Sequence, residues 1–344
     1  MSLTSELRLH LKRVREAMAG RGVRALWVSE APDLQYLSGR DAGRILVTGS
    51  SAVLWVKDVY SELYGSLYYS ASYPLEVRVG GKPEMDRALR GVRSRSVAVS
   101  SPALLAPVRK ASRKHVVVEE VVKAARSVKT RWEIGFIRRS CNVAKAGMRK
   151  AEDVVGLGVR ELDAVAEIEG EIRRRGSVKG VFGDGMLLAS GRRAADIHAK
   201  PSLKRIGRGL VVVDLGANVG GYFSDMTRTL GVGRLTPLEA DLMSFVESLR
   251  DEAIGRIRPG MLASEVHGFV EGCIKEKGYG FYHLTGHGVG LEVHELPSFS
   301  PGSKMRLRAG MVFTVEPGIY IPGKFGVRFE DTVLLKNSGC VKLT

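Results

Sequence analysis

A chain of 344 residues with 44% hydrophobic content can build two domains, each with its own core. No apolar run approaches the ~18 residues of a membrane span, and MSLTSELRLHLKRVREAMAG lacks the unbroken apolar core of a signal peptide, so the expectation is a cytoplasmic protein with no membrane partner. The net charge of +16 comes without a block of five or six like charges, which argues for a dispersed charged surface and against a nucleic-acid partner. Amide side chains are scarce: Gln35 is the only Gln, and Asn142, Asn218 and Asn337 are the only Asn. That scarcity, with abundant Arg and Glu, suggests a heat-adapted source. Cys141, Cys273 and Cys340 lie far apart and fit no metal or redox spacing.

Leu7, Leu11, Val14 and Met18 repeat at helical spacing and predict a first amphipathic helix. Six short apolar runs follow, RALWVSE, GRILVTG, AVLWVK, LEVRVG, SVAVSS and HVVVEE, each a strand candidate. DVYSELYGSLYYS and PEMDRALRGV supply helices between them. The alternation predicts an α/β domain over residues 1–122 that carries no clustered acids, histidines or phosphate loop. Residues 123–130 read as a linker helix, and residues 131–344 as a second, α+β domain.

The second domain contains an internal repeat at an offset of 102 residues. GVRELDAVAEIEGEIRRRGS from Gly158 matches GMLASEVHGFVEGCIKEKGY from Gly260, with Gly170 on Gly272, Ile172 on Ile274 and Gly176 on Gly278. The same offset carries Asp214 onto Glu316 and Gly216 onto Gly318. Each half therefore runs helix, then strand pair, and places an acid at an equivalent point.

VVVDLGANVGGYFSDMTRT, from Val211, reads as a hairpin. A two-residue turn at Val219 and Gly220 would set Asp214 opposite Asp225. A three-residue turn at Pro322, Gly323 and Lys324 would set Glu316 opposite Glu330. A single acid in a hairpin is usually solvated. Two mirrored pairs of facing like charges are unfavourable unless a counter-charge joins them. FYHLTGHGVGLEVHELP adds His283, His287 and His294, and SGRRAADIHAKP adds His198. The glycines flanking His287 would let a ligand or metal approach. An oxygen-rich set with one imidazole argues against structural zinc. Two divalent cations match the charge of four carboxylates, manganese or cobalt ahead of zinc or iron. Such a pair lowers the pKa of a shared water.

These segments, DLGANVGGYFSDMTRT, TGHGVGLEVHELP and TVEPGIYIPGKFGVRFED, resemble the pita-bread metallopeptidases, in their Xaa-Pro dipeptidase branch. The first domain, ending its first motif in DLQYLSG, resembles the creatinase-type domain of that family, although many relatives carry Asn before the aromatic. The resemblance implies that Asp214, Asp225, His287, Glu316 and Glu330 hold two metal ions. Asp225 and Glu330 would bridge them, Asp214 would chelate the first, and His287 and Glu316 the second. It also implies that Glu316 shuttles the proton and that His198 and His294 contact substrate and steady the tetrahedral intermediate. Arg328 would lie near the substrate, and Thr227 would support a ligand carboxylate. The implied substrate is a small peptide with proline, cut before the proline, and the implied assembly is a homodimer. An aminopeptidase P acting on longer Xaa-Pro peptides and an inactive binding module are the alternatives.

Overall fold

The computed structural model describes residues 2–180 and 185–344. The chain divides into two compact units at Arg126/Ser127.

The first unit opens with α1 (Leu3–Gly20), whose Leu7, Leu11, Val14 and Met18 are all buried. The six apolar runs form β1 (Ala25–Val28), β2 (Arg44–Thr48), β3 (Ala52–Val56), β4 (Glu76–Val79), β5 (Ser96–Val99) and β6 (His115–Val118). They lie in one sheet in the order β4-β3-β2-β1-β5-β6. Three antiparallel strands, β1 to β3, sit at its centre, and β4, β5 and β6 add in parallel. The intervening helices are α2 (Ala31–Ser38), α3 (Asp58–Leu63), α4 (Gly65–Tyr68), α5 (Lys82–Gly91) and α6 (Leu105–Ser112). Where a linker helix was expected over residues 123–130, the structure has α7 (Val121–Arg126), which belongs to this unit. Its Arg126 pairs with Asp33 of α2 at 2.8 Å, both buried, so neither charge is left uncompensated.

The second unit is duplicated. Its long helices are α8 (Arg131–Val154) and α10 (Pro237–Arg256), and each is followed by a shorter one, α9 (Glu161–Arg174) and α11 (Ala263–Glu276). The two shorter helices match residue for residue at the offset of 102. Both long helices begin with a Thr-x-x-Glu capping box, at Thr130/Glu133 and Thr236/Glu239, which satisfies first-turn N–H groups. Even a loop contact repeats: Arg205 donates to the Gly158 carbonyl at 2.7 Å, and Arg306 to the Gly260 carbonyl at 2.9 Å.

The strands are β7 (Leu187–Ser190), β8 (Gly209–Leu215), β9 (Asn218–Val219), β10 (Tyr222–Phe223), β11 (Met226–Val232), β12 (His287–Gly288), β13 (Glu295–Ser298), β14 (Val312–Val315), β15 (Gly318–Ile321), β16 (Phe325–Arg328), β17 (Glu330–Lys336) and β18 (Gly339–Lys342). The large sheet runs β13-β12-β14-β17-β11-β8-β7, with β18 on β17. Its pseudo-twofold axis passes between β11 and β17, where Thr227 pairs with Glu330. Each half packs its own helix pair against its own strands. One core gathers Ala144, Met148, Ile168, Val211 and Val213; the other gathers Val246, Val270, Ile274, Phe313 and Val333. The duplication is the one anticipated from the repeat, and the arrangement is the α+β pita-bread fold that the resemblance implies. Among the described residues no helix is long and apolar enough to cross a membrane.

Candidate metal centre

The second hairpin has the expected register. Ile321 faces Phe325 and Gly318 faces Arg328, and on the β14 side Val315 faces Asp331. Glu316 is therefore level with Glu330. The first hairpin does not have the expected register. Val219 faces Tyr222, and Asp214 faces Thr227 rather than Asp225. The turn is Gly220–Gly221, with φ of 62° and 88°. A type I′ turn needs positive φ at both central residues, which two glycines adopt freely and Val219 would resist. Asp225 is thus level with Gly216, a diagonal neighbour of Asp214 on the same face, and the two carboxyls come within hydrogen-bonding reach.

The corrected register explains the geometry better than facing pairs would. Asp214, Thr227, Glu330 and Glu316 form one row across β8, β11, β17 and the end of β14. Adjacent strands lie ~4.8 Å apart, so the row packs its carboxylates side by side. Thr227 spaces two of them: its hydroxyl donates to Glu330 Oε2 at 2.6 Å and accepts from Arg328 Nε at 3.1 Å.

His287 enters from β12. Its Nδ1–H donates to the Gly288 carbonyl at 3.2 Å, which leaves Nε2 as a lone pair. That Nε2 points at Asp225 Oδ2, 3.7 Å away, and Glu316 Oε1, 3.4 Å away. Burial, helped by His294, pushes the His287 pKa down to about 3, so the imidazole is neutral. Ligand atoms of Asp225, His287 and Glu330 all lie within 4.8 Å of one another.

The acids are pushed the other way. Burial raises Asp225 well above the carboxylate range, followed by repulsion from Glu330, Asp214 and Glu316. Glu330 is raised well above its ordinary value by burial and then by Glu316 and Asp214. Burial lifts Glu316 to about 8. Asp214 is also raised by burial, although Arg328 Nη2 donates to its Oδ2 at 2.5 Å. Desolvation outweighs that ion pair, and one guanidinium cannot balance four carboxylates.

Three buried carboxylate oxygens, Asp214 Oδ1, Asp225 Oδ1 and Glu330 Oε1, have no hydrogen-bond partner. Stranded acceptors of this kind are costly. Two of them belong to residues, Asp225 and Glu330, that cluster with the neutral His287 imidazole, and together the three fit divalent cations, which supply what the protein withholds. Glu316 differs from the other three: its side chain keeps 15% exposure, against 6% or less for Asp214 and Asp225, and Glu330 is buried.

His294 sits against His287, with ring centroids 4.1 Å apart. Burial lowers its pKa, opposed by Asp214 and reinforced by His198. His198 is exposed on the segment between β7 and β8. The resemblance implies that Arg328 lies near the substrate. In the structure Arg328 is buried and turned inward, donating to Asp214, Thr227, the Ile197 carbonyl at 3.3 Å and Tyr320 Oη at 2.9 Å.

The sequence passed over Tyr320 and gave His283 no role. His283 Nδ1–H donates to the Leu284 carbonyl at 2.8 Å, and its Nε2 accepts from the Tyr320 hydroxyl at 3.2 Å. Burial and then Arg328 hold its pKa down at about 3. The signal for Tyr320 was present: residues 316, 318 and 320 alternate onto one face.

The glycines around His287 serve the sheet rather than a ligand's approach. A Cβ on Gly286 would overlap the Thr314 carbonyl, and one on Gly288 would overlap the Leu296 carbonyl, because β12 is squeezed between β14 and β13. Gly288→Ala is expected to destabilise the protein by about 3 kcal/mol, as overpacking does, seen as a lowered urea midpoint. Gly268→Ala, in open space on α11, should instead be neutral or stabilising by about 0.5–1 kcal/mol.

Comparison with known proteins agrees with this architecture. The model of metallopeptidase family M24 matches residues 135–337, and that of the creatinase/prolidase N-terminal domain matches residues 10–128. The chain belongs to metallopeptidase family M24, and its first unit is of the creatinase/prolidase N-terminal type. Among its relatives is an Xaa-Pro dipeptidase of Pyrococcus horikoshii, 35% identical over 97% of this chain and 96% of that protein. The solved prolidase of Pyrococcus furiosus has a TM-score of 0.87 at 33% identity, covering 96% of this chain and 98% of that one. An X-Pro aminopeptidase from Thermotoga maritima has a TM-score of 0.81 at 28% identity, covering 96% and 97%.

Proposed function

We propose that the protein is a dimetal Xaa-Pro dipeptidase, hydrolysing the peptide bond before a C-terminal proline. The observation that carries this reading is the set of buried acids Asp214, Asp225 and Glu330, each with a stranded oxygen, two of them clustered with a neutral His287. The full-length likeness to an Xaa-Pro dipeptidase and a prolidase supports the choice of bond.

Asp214, Asp225, His287, Glu316 and Glu330 would hold two divalent cations, with manganese or cobalt preferred over zinc or iron. When bound, the ions supply an activated water and a Lewis acid for the scissile carbonyl. The chain's own residues do the rest. Glu316, the most exposed of the acids, takes a proton on its carboxylate and returns it to the departing proline nitrogen. Thr314 Oγ1 donates to Glu316 Oε1 at 3.3 Å and orients it. His294 donates to the carbonyl oxygen as negative charge develops there. His198 meets the substrate's free carboxylate. Arg328 and Thr227 stand behind the row, holding Asp214 and Glu330 in place rather than touching substrate. We place the enzyme in the cytoplasm of a heat-adapted organism, acting as a homodimer; the amide-poor composition supports the heat adaptation.

Metal-stripped protein reloaded with manganese, cobalt, zinc or iron should cleave Met-Pro and leave Met-Ala intact. Release of the first residue from Arg-Pro-Pro, with Met-Pro untouched, would make it an aminopeptidase P. Purified protein that takes up no stoichiometric metal would return it to a binding module.

A further inference from the structure

The segment that carries His198 has no regular strand to hold it, and a single buried carboxylate closes it at both ends. Glu161, the first residue of α9, is fully buried. Its Oε1 accepts from Ser190 N at 2.9 Å and Ser190 Oγ at 2.8 Å. Its Oε2 accepts from Ser202 N at 3.1 Å, from Ser202 Oγ at 2.7 Å and from Arg193 Nη1. Arg193 also donates to Ser202 Oγ at 3.0 Å and to the Lys200 carbonyl. One anion thus gathers residues 190, 193 and 202, which bracket His198.

The far side of the segment rests on the β15–β16 hairpin. The Ala194 carbonyl occupies the space that a Cβ on Gly326 would fill, and the Ile197 carbonyl accepts from Arg328 Nη1 at 3.3 Å. His198 follows directly, its N–H held by Asp196 Oδ1 at 3.0 Å.

An acid in a first helical turn is ordinarily explained by the helix dipole. The internal repeat separates that explanation from this one. The residue equivalent to Glu161 is Ala263, the first residue of α11. Its backbone bond is retained, Ala263 N to the Met305 carbonyl at 2.9 Å beside Glu161 N to the Lys204 carbonyl at 3.0 Å. The second half keeps a first-turn acid, Glu265, at the position equivalent to Asp163, but starts the same helix without a carboxylate at the position of Glu161. What the first half has in addition is the His198 segment.

We infer that Glu161 is a positioning residue, clamping the Ser190–Ser202 segment so that His198 is presented to the substrate. The inference rests on the dipeptidase reading for the role of His198. Glu161→Gln keeps the shape but turns an NH₂ donor toward groups that are themselves donors. With Met-Pro and manganese-loaded protein, kcat/KM should fall ~10–100-fold, divided between kcat and KM as in His198→Ala. Once His198 is absent the clamp has nothing to present, so adding Glu161→Gln to His198→Ala should change kcat/KM less than ~2-fold. An equal loss on both backgrounds, or no loss on either, would overturn the inference. Should Glu161→Gln fail to fold, Ser202→Ala removes one donor and should show the same non-additivity with a ~3–10-fold effect. Hydrogen exchange on metal-free protein gives a readout independent of turnover. In Glu161→Gln the amides of residues 190–202 should lose ~10-fold or more in protection while α9 keeps its own. Unchanged protection there would reject the clamp even if Met-Pro proved not to be a substrate.

Discussion

Glu330→Gln should abolish hydrolysis and yet leave a metal-free protein more stable than the parent. Glu330 stands in the middle of the row, level with Thr227 on one side and Glu316 on the other. Its Oε2 is satisfied by Thr227, and its Oε1 has no partner. Glutamine preserves the shape and the Thr227 bond but removes the charge. A site that depends on four carboxylates to balance two dications would then bind them incompletely. The expected loss in kcat/KM for Met-Pro is at least about a thousandfold, equivalent to about 4 kcal/mol of barrier, and bound metal should fall below two ions per chain. In the metal-free state burial and the neighbouring acids keep Glu330 protonated well above its ordinary range, a proton the unfolded chain releases; glutamine removes that cost, so the thermal midpoint of chelated protein should rise at pH 8. The two readouts separate a metal-ligand role from a structural one. A residue needed only for folding would lower both. Retained activity with two bound ions would remove Glu330 from the site, and with it the reading of the row.

Much of this was legible in the sequence because local rules sufficed. The six strands of the first unit are short β-branched and aromatic runs bounded by turn residues, and each folded where its pattern placed it. Their order in the sheet was not legible, since parallel additions such as β5 beside β1 depend on contacts distant in the chain. The duplication was visible as an offset of glycines, and it survives in matching helices and loop contacts. The second hairpin was read in register because Pro-Gly-Lys admits one economical turn. The first was misread by one position at the turn. Two adjacent glycines make Gly220–Gly221 the cheaper pair for positive φ, and that shift moved Thr227 into the row and Asp225 off it. Period-two alternation from Glu316 would have identified Tyr320. No local rule turns Arg328 inward or links Glu161 to Ser190 and Ser202, because those bonds span distances across which periodicity carries no information.

Stripping the metal should make stability fall as pH rises above about 6.5. Glu316 titrates at about 8 in the folded chain against an ordinary 4.5, and Asp225 and Glu330 are raised well above their usual values. The folded protein therefore retains protons that the unfolded chain has released. This stabilisation is complete below the unfolded carboxyl values and is lost as pH climbs through the folded ones, for Glu316 through about 8. The buried histidines act with the opposite sign. His283 and His287 are held at about 3 against an ordinary 6.5, so their contribution is complete above 6.5 and is lost as pH falls toward 3. Between about pH 4.5 and 6.5 the two effects oppose each other. Above 6.5 the carboxyls act alone, each contributing a slope of up to about 1.4 kcal/mol per pH unit while it remains protonated only in the folded state. Bound dications reverse the balance, since they require the ionised forms and expel the protons. Melts of chelated and manganese-loaded protein at pH 6.5, 7.5 and 8.5 should therefore diverge, the chelated midpoint dropping while the loaded one holds. Calorimetric titration of manganese in buffers of different ionisation enthalpy should detect net proton release at pH 7. A chelated protein whose midpoint stays level or rises across that window would mean the carboxyls are ionised without a cation, and the crowding inferred from the row would be wrong.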